Sequence, residues 1–164
     1  MTYGMIYVKL VSTLSKYLGY MILSTTGIVY VLKILSEPIE KVATLSLTAI
    51  AIIGALSALC FSYAPCISDE NDKNSGLYSG EKFLHSTLLI IQTLFLKYVA
   101  DQVLFLQLVK SVPWLETTIS MIANTIIFWI GSSSVVFAAL GFDSLNKTLW
   151  SHYVKNAKKN LNKE

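Results

Sequence analysis

Val42–Tyr63 reads VATLSLTAIAIIGALSALCFSY, and no charged residue interrupts it. A helix crossing the hydrocarbon core of a bilayer needs about 20 mostly apolar residues. This stretch is therefore a transmembrane helix, and its neighbours follow the same reading. Toward the N-terminus, Ser36–Lys41 (SEPIEK) is a tight turn, and Tyr17–Leu35 (YLGYMILSTTGIVYVLKIL) is a second span. That run is too long for the apolar part of a signal peptide, and no small-residue cleavage site follows it. Toward the C-terminus, a polar segment leads to a third span within Phe83–Val109 and, after the turn Lys110–Pro113, to a fourth at Trp114–Phe142.

Composition agrees. The 164 residues are 54% hydrophobic and 14% charged, about half the charged share of a soluble domain. A disordered chain, a soluble nucleic-acid binder and a disulfide scaffold are excluded. The expected fold class is all-α: an integral membrane protein with four transmembrane helices arranged as two antiparallel hairpins, because each outer turn is short. Residues 1–142 form the transmembrane domain. Ala64–Lys82 (APCISDENDKNSGLYSGEK) is read as a flexible loop between the hairpins, and residues 143–164 as a separate basic amphipathic tail. In the tail Leu145, Leu149, Tyr153, Ala157 and Leu161 recur at helical spacing, with lysines largely off that face. Such a helix suits anionic lipid, a docked protein, or simply a positive topological anchor.

Every basic residue is Lys. Nine lysines fall on the side that holds both termini and the long loop, three on the other side, and Lys97 lies within a span. Lysine-rich segments stay in the cytoplasm. The expected location is a bacterial inner membrane, with both termini cytoplasmic.

Lys97 and Asp101 are the sharpest polar feature. Four residues apart, they share a helical face, and ionisable groups within a membrane are costly and are paired or functional. Two readings stand open: a self-neutralising pair near the outer end of the span, or a charged pore or sensing element. Asn124 in the fourth span is either interhelical glue or part of a polar cavity. Gly54 and Ala58, and Gly131, Ser134 and Ala138, form small faces suited to close helix packing. Asp69, Glu70 and Asp72 of the loop, and Trp150, Lys155, Lys158 and Lys159 of the tail, are the expected partner-binding or lipid-binding residues. Cys60 and Cys66 lack the spacing of a redox pair or a zinc site. No nucleophile–base pair, phosphate loop or metal-ligand spacing is present. The expectation is a protein that is not an enzyme, binds no cofactor and touches no nucleic acid directly.

The length, the four-span pattern, the short outer turns, and the cytoplasmic loop and tail resemble the membrane-subunit (KwaA) family of the bacterial Kiwa anti-phage system. That resemblance covers the whole chain and implies a sensor or scaffold. It would homo-oligomerise, as a tetramer, and recruit a cytoplasmic DNA-binding effector of the KwaB kind. The competing reading from the residues is a small ion channel, a membrane-disrupting effector or a toxin-immunity protein, with Lys97, Asp101 and Asn124 lining a path between subunits.

Overall fold

A computed structural model describes residues 3–105 and 107–161. Side chains toward the two ends, Lys158 and Lys159 among them, lie outside those described. The described chain is helical almost throughout and contains no strand. Helix α1 is Tyr3–Ser36, α2 is Ile39–Tyr63, α3 is Glu70–Phe105, α4 is the single turn Gln107–Lys110, and α5 is Pro113–Leu161. A 3-10 turn, Ala64–Cys66, follows α2. Four helices (α1, α2, α3 and α5) are long and apolar enough to cross a membrane. The chain is a multi-pass membrane protein by this measure.

Local chemistry sets the helix starts. Pro38 precedes α2 with an extended ψ of 154°, and Pro113 opens α5 where its missing N–H costs nothing. At α3, the Asp69 carboxylate accepts the N–H groups of Asn71 (3.1 Å) and Asp72 (3.2 Å). This satisfies backbone donors that have no partner inside the helix. Glu70 and Asp72 add negative charge to its first turn.

These contacts change the reading of the segment 64–82. Only residues 67–69 lie outside helix, and the rest of the expected flexible loop is the 3-10 turn and the first turns of α3. Its glycines are packing positions. A Cβ on Gly80 would stand 3.2 Å from Cys60 and Phe61, and one on Gly76 would stand 3.4 Å from Ala64. Glycine here lets the start of α3 lie against the end of α2. The tail is likewise no separate element, since α5 runs unbroken for 49 residues.

Helix pairing also departs from the expected hairpin of the first two spans. Helix α3 is central and packs antiparallel to α2 on one side and to α5 on the other. Helix α1 lies antiparallel along α5 and touches α2 little. Glycines on α1 explain its choice of partner: a Cβ on Gly19 would collide with Phe142, and one on Gly27 with Val135. The core joins Tyr30, Val31 and Ile34 of α1 to Val42, Ile90 and Ile127 of the other three helices.

Around this core the interior is rich in small polar residues, and the outer surface is apolar. Buried residues include Ser46, Ser57, Ser79, Ser86, Thr93, Ser134 and Thr148, whereas Met21, Ile22, Phe95, Met121 and Trp129 are each more than half exposed. Lipid gains nothing from hiding apolar side chains, so close packing and interhelical hydrogen bonds hold the helices together. Two such bonds are buried: Ser57 Oγ donates to the Gly80 carbonyl at 2.8 Å, and Ser86 Oγ to the Ser134 carbonyl at 2.7 Å.

Gly27→Leu is expected to destabilise the fold by about 1–3 kcal/mol or more, because the larger side chain must displace Val135 along a whole helix. Thermal unfolding in detergent measures it. Gly54→Leu is the control and should cost less, because a Cβ there meets only Thr87, at 4.0 Å.

Candidate functional site

Lys97 and Asp101 form an ion pair at 3.1 Å, with side chains 11% and 22% exposed. The second oxygen of Asp101 accepts the backbone N–H of Ile39 at 3.3 Å. Proline at the N-cap has no side chain able to cap α2, so a carboxylate from α3 performs that task. The N-terminal end of α2 also favours negative charge. This places the pair level with the α1–α2 turn, whose neighbours Lys33, Glu37, Glu40 and Lys41 are charged. Both groups are engaged within the chain itself, at the start of α2.

From Asp101 back to Phe83 is about 27 Å along α3, close to the roughly 30 Å of a bilayer core. Phe83 meets Gly141 of α5, whose neighbour Phe142 meets Gly19 of α1. Beyond this level α3 continues back to Glu70 for about 20 Å and α5 forward to Leu161 for about 30 Å.

These ends of α3 and α5 are tied by a polar clasp. Lys155 Nζ lies 2.9 Å from Asp69 and 2.7 Å from Asp72. Ser151 Oγ donates to the same Asp72 oxygen at 3.2 Å. One turn deeper, the Ser75 and Ser144 hydroxyls are 2.9 Å apart, and Ser144 Oγ also reaches the Ser75 carbonyl at 2.9 Å. Thr148 Oγ1 closes the row by donating to the Ser144 carbonyl at 3.0 Å. Asp72 and Thr148 are buried. Charge-assisted hydrogen bonds of this kind are the stronger ones.

Electrostatics follow from that geometry. The Lys155 ammonium, joined by the backbone N–H of Asp72, holds the Asp69 carboxyl below its ordinary range. Asp72 first, and then Asp69, raise the Lys155 ammonium above its own. Asp69 thus contributes above the ordinary aspartate range and loses its contribution as pH falls through its lowered value. Lys155 contributes below the ordinary lysine range and loses it as pH rises through its raised value. The clasp is closed across neutral pH.

The other expected residues are dispersed. Asn124 Nδ2 bonds Ser120 Oγ at 3.4 Å, within α5 itself. Gly131, Ser134 and Ala138 are buried on α5, and a Cβ on Gly131 would stand 3.7 Å from both Thr93 and Val31. Ala58 is exposed, as is Glu70, and Trp150 is half-buried. Asp69, Asp72 and Lys155, read from sequence as parts of two separate surfaces, meet in one cluster.

Sequence reasoning missed a second charged cluster. Lys16 of α1 and Lys147 of α5 hold the two oxygens of Asp143, at 3.0 Å and 2.7 Å. The Lys16 ammonium also lies over the Tyr20 ring, 5.7 Å from its centre. The available signal was the i, i+4 pair Asp143–Lys147, hidden because the division between span and tail falls on it. Also missed was an apolar cavity of about 300 Å³ bounded by Gly27, Tyr30, Leu45, Ile53, Ile90 and Val135. Among the described residues, no three His, Cys, Asp or Glu side chains cluster as metal ligands would.

No family model matches the chain, and no curated protein and no solved structure is significantly similar to it.

Proposed function

We propose that the protein is a membrane-anchored scaffold whose extended helices recruit a partner protein on the side that holds both termini. The observation that carries this reading is the continuity of α5. Its 49 residues span about 74 Å, more than twice the bilayer core. The emergent part is clasped to α3 by Asp69, Asp72 and Lys155. A free tail would lose conformational entropy on binding, whereas a clasped helix pair has that ordering in place beforehand. The lysine distribution assigns this side to the cytoplasm.

The engagement of Lys97 and Asp101 at a helix start favours the scaffold over a charged pore between subunits. In the fuller form of the proposal the chain acts as the membrane subunit of an anti-phage defence system of the Kiwa kind. It sits in the inner membrane as a homotetramer and recruits a cytoplasmic effector without catalysing a reaction itself.

Deleting residues 151–164 is expected to abolish co-purification of the partner while leaving membrane insertion unchanged. Affinity capture in mild detergent, with carbonate extraction of membranes as the insertion control, reads both. Undiminished partner recovery from the truncated chain overturns docking through α5.

A further inference from the structure

The α1/α5 face carries a groove that the scaffold reading does not use. Its volume is about 290 Å³, and Ser24, Gly27, Ile28 and Leu32 of α1 face Phe128, Ser132 and Val135 of α5 across it. It exists because Gly27 brings the two backbones together, while the larger side chains on either side of that contact stand apart. Followed toward the α1 N-terminus at helical spacing, the same face runs from Ser24 through Tyr20 to Lys16. On α5 it runs from Ser132 and Val135 to Asp143 and Lys147. The groove therefore leads to the Lys16–Asp143–Lys147 cluster.

Charge at that end is unbalanced. Two ammonium groups share one carboxylate, with Lys16 on one oxygen and Lys147 on the other, so one positive charge is left over. Lys147 is 65% exposed and Lys16 is 41% exposed, so both can meet a second anion. The cluster lies about 30 Å from Asp101 along the helices, which is the far edge of a bilayer core. Ser24 lies about 12 Å from Lys16, within the roughly 15 Å depth of one leaflet's hydrocarbon.

We propose that this face binds one anionic phospholipid, its phosphate bridging Lys16 and Lys147 and one acyl chain lying in the groove between α1 and α5. Charge selects the headgroup, and the groove selects a hydrocarbon chain over a free anion. The bound lipid would fill the lipid-side gap beside the Gly27–Val135 contact.

Native mass spectrometry of the full chain in detergent, titrated with phosphatidylglycerol or with phosphatidylcholine of the same acyl chains, tests this. One surplus charge near the surface predicts about fivefold tighter binding of phosphatidylglycerol. Lys147→Ala should erase that preference. It keeps the Lys16–Asp143 pair, so the carboxylate remains compensated. Ser132→Phe, which fills the groove and leaves the charges alone, should weaken both lipids. Excess inorganic phosphate should fail to displace phosphatidylglycerol. Equal binding of the two lipids by the parent chain, a preference that survives Lys147→Ala, unchanged binding in Ser132→Phe, or displacement by phosphate alone would each overturn the proposal.

Discussion

Asp101→Ala is expected to lower stability by about 3 kcal/mol, the largest loss for a single polar truncation in the span region. Two effects add. The Lys97 side chain is 11% exposed, and removing the partner of a buried charge costs about 3–5 kcal/mol when burial is complete. The partial exposure of the pair reduces that figure. The Ile39 N–H then loses its acceptor, and loss of a helix cap costs about 1 kcal/mol. Asp101→Asn retains an acceptor for Ile39 and should fall between. The double variant Lys97→Met/Asp101→Leu should recover most of the loss, since no uncompensated charge remains. Unfolding in mixed micelles measures all four proteins. An Asp101→Ala protein as stable as the parent would mean that the pair neither anchors α2 nor neutralises itself.

The second large effect is functional. Lys155→Glu places a third carboxyl beside Asp69 and Asp72, and like charges at that spacing repel. The end of α5 should part from α3, and partner capture should fall to background while the spans remain inserted. Reversing the charges, with Asp72→Lys and Lys155→Asp together, should restore capture, because position 72 then supplies the ammonium and position 155 the carboxylate. Acid should mimic the single variant in the parent chain. As pH falls below the ordinary aspartate range, Asp69 takes up a proton and gives up its share of the clasp. Limited proteolysis of α5 in nanodiscs follows the opening. Failure of the charge swap to restore what Lys155→Glu removes would assign the residue a direct role at the partner surface.

The four spans were legible because hydropathy reports lipid contact, and uncharged runs such as Val42–Tyr63 leave a short list of alternatives. The interior was harder to read for the same reason. Along α3 the inward positions Asp72, Ser75, Ser79, Phe83, Ser86, Ile90, Thr93, Lys97 and Asp101 recur three or four apart, but most of them are polar. A search for apolar periodicity passes over such a seam. Gly76 and Gly80 look like loop residues beside Ser and Asn, and only the approach of α2 shows that they are contacts. The small face of Gly131, Ser134 and Ala138 was visible as spacing, yet spacing does not separate it from Gly54 and Ala58, which lie in open or ordinary surroundings. The clasp was legible as residues and not as a site. Asp72 and Lys155 stand 83 positions apart, and only the antiparallel register of α3 and α5 joins them.

On the proposed scaffold reading, the clasped helices hold a partner at the membrane. Affinity capture of the full chain from its native membrane in mild detergent, with the eluate weighed by mass photometry and identified by mass spectrometry, tests it most directly. The expected eluate is a homo-oligomer carrying one non-membrane protein in fixed stoichiometry, lost from the Lys155→Glu chain and regained with the charge swap. A homo-oligomer that captures no other protein, and conducts ions when placed in a planar bilayer, would contradict it.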